Sequence, residues 1–127
     1  MKRASPHKVL VYGTLLEGEP NHRLLARARF VGDAATMGGF ALHDLGFFPG
    51  MARAEAGVVV GEVYEVDDAT LAALDRLEGH PRFYRRTTVS LADGEQVWTY
   101  LLGPEQVEGR PIIRSGSWRA RRKEERP

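Results

Sequence analysis

The chain has 127 residues, enough for one hydrophobic core but not for two. Its 18 Lys+Arg against 17 Asp+Glu leave a formal net charge of +1, which argues against strong general affinity for polyanions, although residues 110–127 carry 7 of the basic residues against 2 acidic ones. The absence of cysteine excludes disulfides, thiolate catalysis and Cys-ligated metal; the polar start and short apolar runs predict neither a signal peptide nor a membrane span, so a single cytoplasmic domain over residues 1–127, with 1–7 and 119–127 as flexible ends, is the default expectation.

Val9-Leu10-Val11-Tyr12 is a short apolar run that breaks at Gly13, the pattern of a buried strand. The loop Gly13 to Pro20 leads into residues 21–28, whose apolar spacing predicts a short helix starting near Pro20 and Asn21. From Arg29 to Arg53, glycines and aromatics predict strands broken by tight turns, with Phe47-Phe48-Pro49-Gly50 the clearest irregular segment. Residues 57–66 read as a β-rich strand in which Gly61 marks a bulge or a close backbone approach.

A helix follows. Asp67 is a good N-cap, Leu71, Leu74 and Leu77 recur at helical spacing, and Gly79 with Pro81 is a stop signal. Glu78 therefore falls in the last turn, where the negative end of the helix dipole disfavours a carboxylate. Such repulsion, reinforced by partial desolvation, raises a carboxyl pKa toward the range a general acid or base needs near neutral pH. A solvated surface glutamate is the competing reading of this run alone.

Farther on, residues 84–91 and 96–102 flank Asp93-Gly94, a strong hairpin signal for a type I′ turn. That turn would place Ala92 opposite Glu95, Val89 opposite Trp98, Thr87 opposite Tyr100 and Arg85 opposite Leu102. Trp98 then reads as core, whereas the Tyr100 hydroxyl needs a partner. Arg85 and Arg86 alternate across the strand, so at most one of them faces a pocket. Ile112-Ile113 forms either a last short strand or an anchor, and the chain beyond Arg119 reads as a solvated end.

Several chemistries find no support. The glycines near residues 38–50 make no dinucleotide fingerprint, no phosphate loop is present, and Ser5, Ser90, Ser115 and Ser117 lack a nucleophile-elbow context. His7, His22, His43 and His80 have no metal-ligand spacing, so neither metal nor cofactor is expected. The basic tail is interrupted by Glu124 and Glu125 and has no interleaved aromatic after Trp118, so nucleic-acid binding is not expected and truncation after Arg119 should be tolerated. Oligomeric state is left open.

Two widely separated segments now combine. Val9-Leu-Val-Tyr-Gly-Thr-Leu15, with Gly18 and Pro20-Asn21-His22, resembles the N-terminal signature of the γ-glutamylcyclotransferase-like family, closest to its γ-glutamylamine cyclotransferase branch. The resemblance extends through Gly61-Glu62-Val63-Tyr64 and Leu74 to Arg86, covering most of residues 8–102. It implies a mixed α/β (α+β) fold, a small closed or nearly closed β-barrel with flanking helices. It also implies a catalyst of acyl transfer, of lyase or transferase type, in which the α-amine of a γ-glutamyl amine or related amide closes on the side-chain carbonyl and releases pyroglutamate (5-oxoproline).

On that resemblance Glu78 is the catalytic acid/base, and Tyr12, Gly13, Thr14 and Leu15 form the substrate loop, with Tyr12 as wall or core. Tyr84 and Tyr100 are the remaining substrate-side candidates. Ser115-Gly116-Ser117-Trp118 departs from the family's Gly-Asp-aromatic pattern, which bears on substrate choice. A non-catalytic small-molecule binder on the same scaffold and an interaction protein using the basic tail are the alternatives.

Overall fold

A computed structural model describes residues 6–121. The first strand, β1 (His7–Val11), lies at the centre of the sheet, which suits its apolar run. On one side it pairs antiparallel with β5 (Val60–Val66), from His7 opposite Val66 to Val11 opposite Glu62. On the other it meets β7 (Gln96–Leu101) in parallel, Val9 opposite Trp98. Gly61 explains the closeness of β1 and β5: a Cβ there would stand 2.1 Å from the Val11 carbonyl oxygen, so the expected close approach is present.

β5 carries β2 (Arg29–Ala35) on its outer edge, and β7 passes at Leu101 to Met51 of β4 (Pro49–Arg53), which forms a hairpin with β3 (Phe40–Asp44). β6 (Arg85–Ser90) pairs with β7 beside this path. The molecule is thus a mixed α+β fold, but the expected closure of the barrel does not occur. β2 and β6 touch only through the isolated Thr36–Leu91 bridge, because Gly38-Gly39 turns the chain away into β3 within four residues. A single bridge does not make a seam, and the sheet stays mostly open.

Helices α1 (Asp68–Glu78) and the short α2 (Pro104–Val107) accompany the sheet. Residues 21–28, expected as a helix, contain only one 3₁₀ turn, His22–Leu25. Asn21 does not cap it, since its side-chain amide donates to Thr14 Oγ1 at 2.9 Å instead. Among the described residues no helix is long and apolar enough to cross a membrane.

The β6–β7 hairpin forms, one residue away from the expected register. Val89 faces Val97, Thr88 faces Trp98, Thr87 faces Thr99 and Arg85 faces Leu101. The cause is the turn. Gly94 has positive φ but Asp93 does not, and Leu91 N–H bonds to Glu95 O, so the loop has three residues rather than the two of a type I′ turn.

Beyond α2 the chain remains packed. Ile113 is buried and its N–H donates to Leu42 O at 2.8 Å, while Ile112 makes an isolated bridge to His43, so of the two expectations the anchor fits and the strand does not form. Trp118 is 1% exposed and carries the Arg121 guanidinium 3.3 Å above its ring centroid. The free ends expected at 1–7 and 119–127 fall largely outside the described residues. Inside them, His7 opens β1 and Arg119 pairs with Glu62 at 3.0 Å.

Candidate active site

Helix α1 is built to deliver a carboxylate into the protein. Asp67 accepts the Thr70 N–H at 2.8 Å, and Gly79 ends the helix with φ 69°. Leu71 and Leu74 are buried against the sheet, and Glu78 follows them by seven and four residues. Helical spacing therefore continues the apolar stripe into a glutamate, which lies half-buried on the core side. Its carboxylate forms no hydrogen bond or ion pair with the described residues, and burial raises its pKa to about 7.

Glu78 opens onto a cavity of about 380 Å³ whose walls bring together all seven residues nominated from the sequence: Tyr12, Gly13, Thr14, Leu15, Glu78, Tyr84 and Tyr100. Gly13 sits where β1 has just ended, and its carbonyl accepts the Leu16 N–H at 3.0 Å, while Thr14 O accepts the Asn21 N–H at 2.9 Å. The N–H groups of Gly13, Thr14 and Leu15 are committed to no acceptor among the described residues. Successive uncommitted N–H groups in a loop that lines a cavity can receive an anion. Gly13 is required here by space rather than by φ, since a Cβ would lie 2.7 Å from Pro49 Cγ.

The three tyrosines use their hydroxyls to hold the walls. Tyr12 donates to Tyr100 O at 2.6 Å and accepts the Met51 N–H at 3.1 Å, tying β1 to β7 and β4. Tyr84 donates to Pro49 O at 2.5 Å, and Tyr100 donates to Asp75 Oδ1 at 2.7 Å. Each phenol proton is thus spent on a protein acceptor. Burial, with the Glu78 charge adding to it, raises all three hydroxyl pKa values, so these groups stay protonated.

Arg86 explains why Asp75 accepts so readily. Its guanidinium pairs with Asp75 at 2.8 Å and lies 4.4 Å from the Trp98 ring centroid. Burial alone would raise the Asp75 pKa, but the bonds from Arg86 and Tyr100 outweigh it and hold the carboxyl below its usual range. Neither Arg85 nor Arg86 lines the cavity.

Sequence reasoning missed the opposite wall, made by Phe47, Phe48, Pro49 and Phe83, together with Asn21 and Leu77. Phe47-Phe48-Pro49-Gly50 had stood out only as irregular, and nothing in its spacing shows that the β3–β4 turn folds over the Gly13 loop. The Glu62 cluster was also missed. Glu62, 4% exposed, accepts the Glu17 N–H and the Tyr64 hydroxyl and pairs with Arg119. Among the described residues no group of three His, Cys, Asp or Glu side chains is placed to hold a metal ion.

Comparison with known proteins finds similar chains. Residues 9–120 match the family model described as gamma-glutamyl cyclotransferase, AIG2-like. A Vibrio cholerae protein named putative gamma-glutamylcyclotransferase is 43% identical over 112 residues, covering 88% of this chain and 95% of its own length. The Escherichia coli gamma-glutamylcyclotransferase family protein YtfP is 34% identical over 111 residues, covering 87% of this chain and 95% of its own. The crystal structure of a mouse AIG2-like protein superposes with a TM-score of 0.75 at 30% identity, covering 84% of this chain and 85% of that one.

Proposed function

The chain belongs to the γ-glutamyl cyclotransferase, AIG2-like family, and from that premise we infer that its cavity cyclises a γ-glutamyl amine or related amide into 5-oxoproline and a free amine. The observation that carries this reading is the unpaired Glu78, with a pKa of about 7, sharing one cavity with the uncommitted N–H groups of residues 13–15.

A γ-glutamyl amide contains its own nucleophile, so the absence of serine and cysteine from the cavity wall is no obstacle. Ionised Glu78 takes a proton from the substrate α-ammonium, and the freed amine attacks the γ-carbonyl carbon. A C–N bond forms and the carbonyl π electrons move to oxygen. Glu78 returns that proton to the departing nitrogen, the original amide C–N bond breaks and the lactam carbonyl is restored; the ring nitrogen gives its second proton to the again-ionised Glu78, which passes it to the freed amine, so the amine leaves as an ammonium. No water is consumed, and one carboxylate serves as base and then as acid. An ordinary glutamate is too weak a base for an ammonium, and burial narrows that mismatch.

The N–H groups of Gly13, Thr14 and Leu15 hold either the substrate α-carboxylate or the oxyanion. Among the described residues no arginine or lysine lines the cavity to do so. The tyrosine rings shape the walls around the glutamyl group while their hydroxyls remain engaged with the protein.

The reading is tested by incubating the protein with γ-glutamyl amines, γ-glutamyl amino acids and glutathione, and measuring 5-oxoproline by mass spectrometry. Release by the native protein and its loss in Glu78→Gln are expected. Donors that bind without conversion would instead make the protein a small-molecule binder on this scaffold.

A further inference from the structure

The cavity has a buried end and an exposed end that differ in chemistry. Tyr12, Gly13, Leu15, Tyr84 and Tyr100 are buried and form its floor. Its mouth is marked by side chains that are apolar yet open to solvent: Phe47 at 95% exposure, Phe83 at 42% and Leu77 at 39%. Isolated exposed apolar residues are ordinary on a protein surface, but three on the rim of one cavity form a patch.

Their local structure holds the patch in place. Leu45 N–H bonds to Phe48 O at 3.0 Å and Gly46 N–H to Asp44 Oδ1 at 2.8 Å, so Phe47 occupies the tip of a closed turn. Beside it Phe48 packs edge-on to Phe83, centroids 6.0 Å apart, and Phe83 packs edge-on to Tyr84 at 5.1 Å. Aromatic order therefore runs continuously from floor to rim. Among the described residues the lining contains no lysine, arginine, histidine or aspartate, and Glu78 is its one carboxylate. A charged group at the mouth would find no counter-ion in this wall.

Given the cyclisation reading, the glutamyl head has its charges at the α-carbon and needs the N–H groups and Glu78, so the leaving amine must project toward the rim. We propose that the preferred substrates carry a bulky apolar, preferably aromatic, leaving amine, and that Phe47, Phe83 and Leu77 form the shelf that receives it. This inference rests on the orientation that the cyclisation reading gives the glutamyl group. Phe47 and Phe83 determine specificity, and neither takes part in bond making.

The test compares γ-glutamylbenzylamide with γ-glutamylethylamide, γ-glutamylglycine and Nε-(γ-glutamyl)lysine. Two measurements are made, 5-oxoproline release and binding by calorimetry to the Glu78→Gln protein. The benzylamide should exceed the ethylamide roughly tenfold or more in kcat/KM and in affinity, as partial burial of several apolar carbons requires. Phe47→Ala should bring the benzyl-to-ethyl ratio close to one. Phe47 is too exposed to support the core, and circular dichroism checks that the variant folds. Turnover of all donors without an apolar preference overturns the shelf while sparing the cyclisation reading. Preferential benzylamide binding with no 5-oxoproline from any donor supports the shelf and removes the enzyme. Self-association that Phe47→Ala abolishes, with the ratio unchanged, would give the patch to a second copy of the chain and overturn the proposal.

Discussion

Glu78 is a residue whose position costs stability, and the sign of that cost is measurable. Its carboxyl has a pKa of about 7 in the folded chain, raised by burial from an ordinary 4.5. The folded state therefore binds more protons between those values, so this group's contribution is least unfavourable below pH 4.5 and becomes destabilising as pH rises through 7. At roughly 1.4 kcal/mol per pH unit the full cost at alkaline pH is about 3 kcal/mol. Glu78→Gln should accordingly be more stable than the native chain at pH 8, with the advantage fading toward pH 4, as urea titrations at the two pH values would show. The same variant should lose turnover by roughly a hundredfold or more, since a positioned acid/base contributes about that much. Near-native turnover in the folded variant would refute the assignment. In the native protein, kcat/KM should rise with pH through about 7 as Glu78 ionises, a limb that Glu78→Gln abolishes.

The elements show which kinds of structure a sequence makes legible. α1 was readable to the residue because its signals are local: Asp67 caps it, Leu71 and Leu74 set the buried stripe, and Gly79 stops it. The β6–β7 hairpin was readable in existence but not in register, because Asp93-Gly94 fits two loop lengths and only the backbone φ at Asp93 separates them. Barrel closure was not readable, since it depends on how far β2 and β6 run beside each other after residue 36. Likewise, the Gly13 loop was visible in the sequence while the reason for its glycine was not. Pro49 presses on it from β4, 36 residues away in the chain. Gly13→Ala should therefore push the two elements apart, costing about 1–3 kcal/mol of stability by overpacking and raising KM for a γ-glutamyl donor. Chemical denaturation and steady-state kinetics would read the two effects, and an unchanged KM would take the loop out of the binding site.

For the molecule as a whole, the end of the described chain is structural. Trp118 completes the core, Arg121 covers it, and Arg119 reaches back to Glu62 beside β1. Trp118→Ala should cost about 3–5 kcal/mol, the range for deleting a large buried aromatic, and a thermal melt would show it. Truncation after Arg119 should therefore lower the melting temperature, because it removes the Arg121 guanidinium from the Trp118 ring. The sequence does not show this, because the chain beyond Arg119 reads as a solvated end and nothing local says that Arg121 returns to the Trp118 ring. The central place of β1 has a further bearing on biogenesis. This strand leaves the ribosome before either of its neighbours, β5 and β7, exists, and the two flank it from far along the chain. Native pairing at the middle of the sheet must wait for late synthesis, and contacts so distant in sequence close slowly. Until then the apolar Val9-Leu10-Val11 run is an unpaired nascent segment, of the kind that is prone to aggregate before folding is complete.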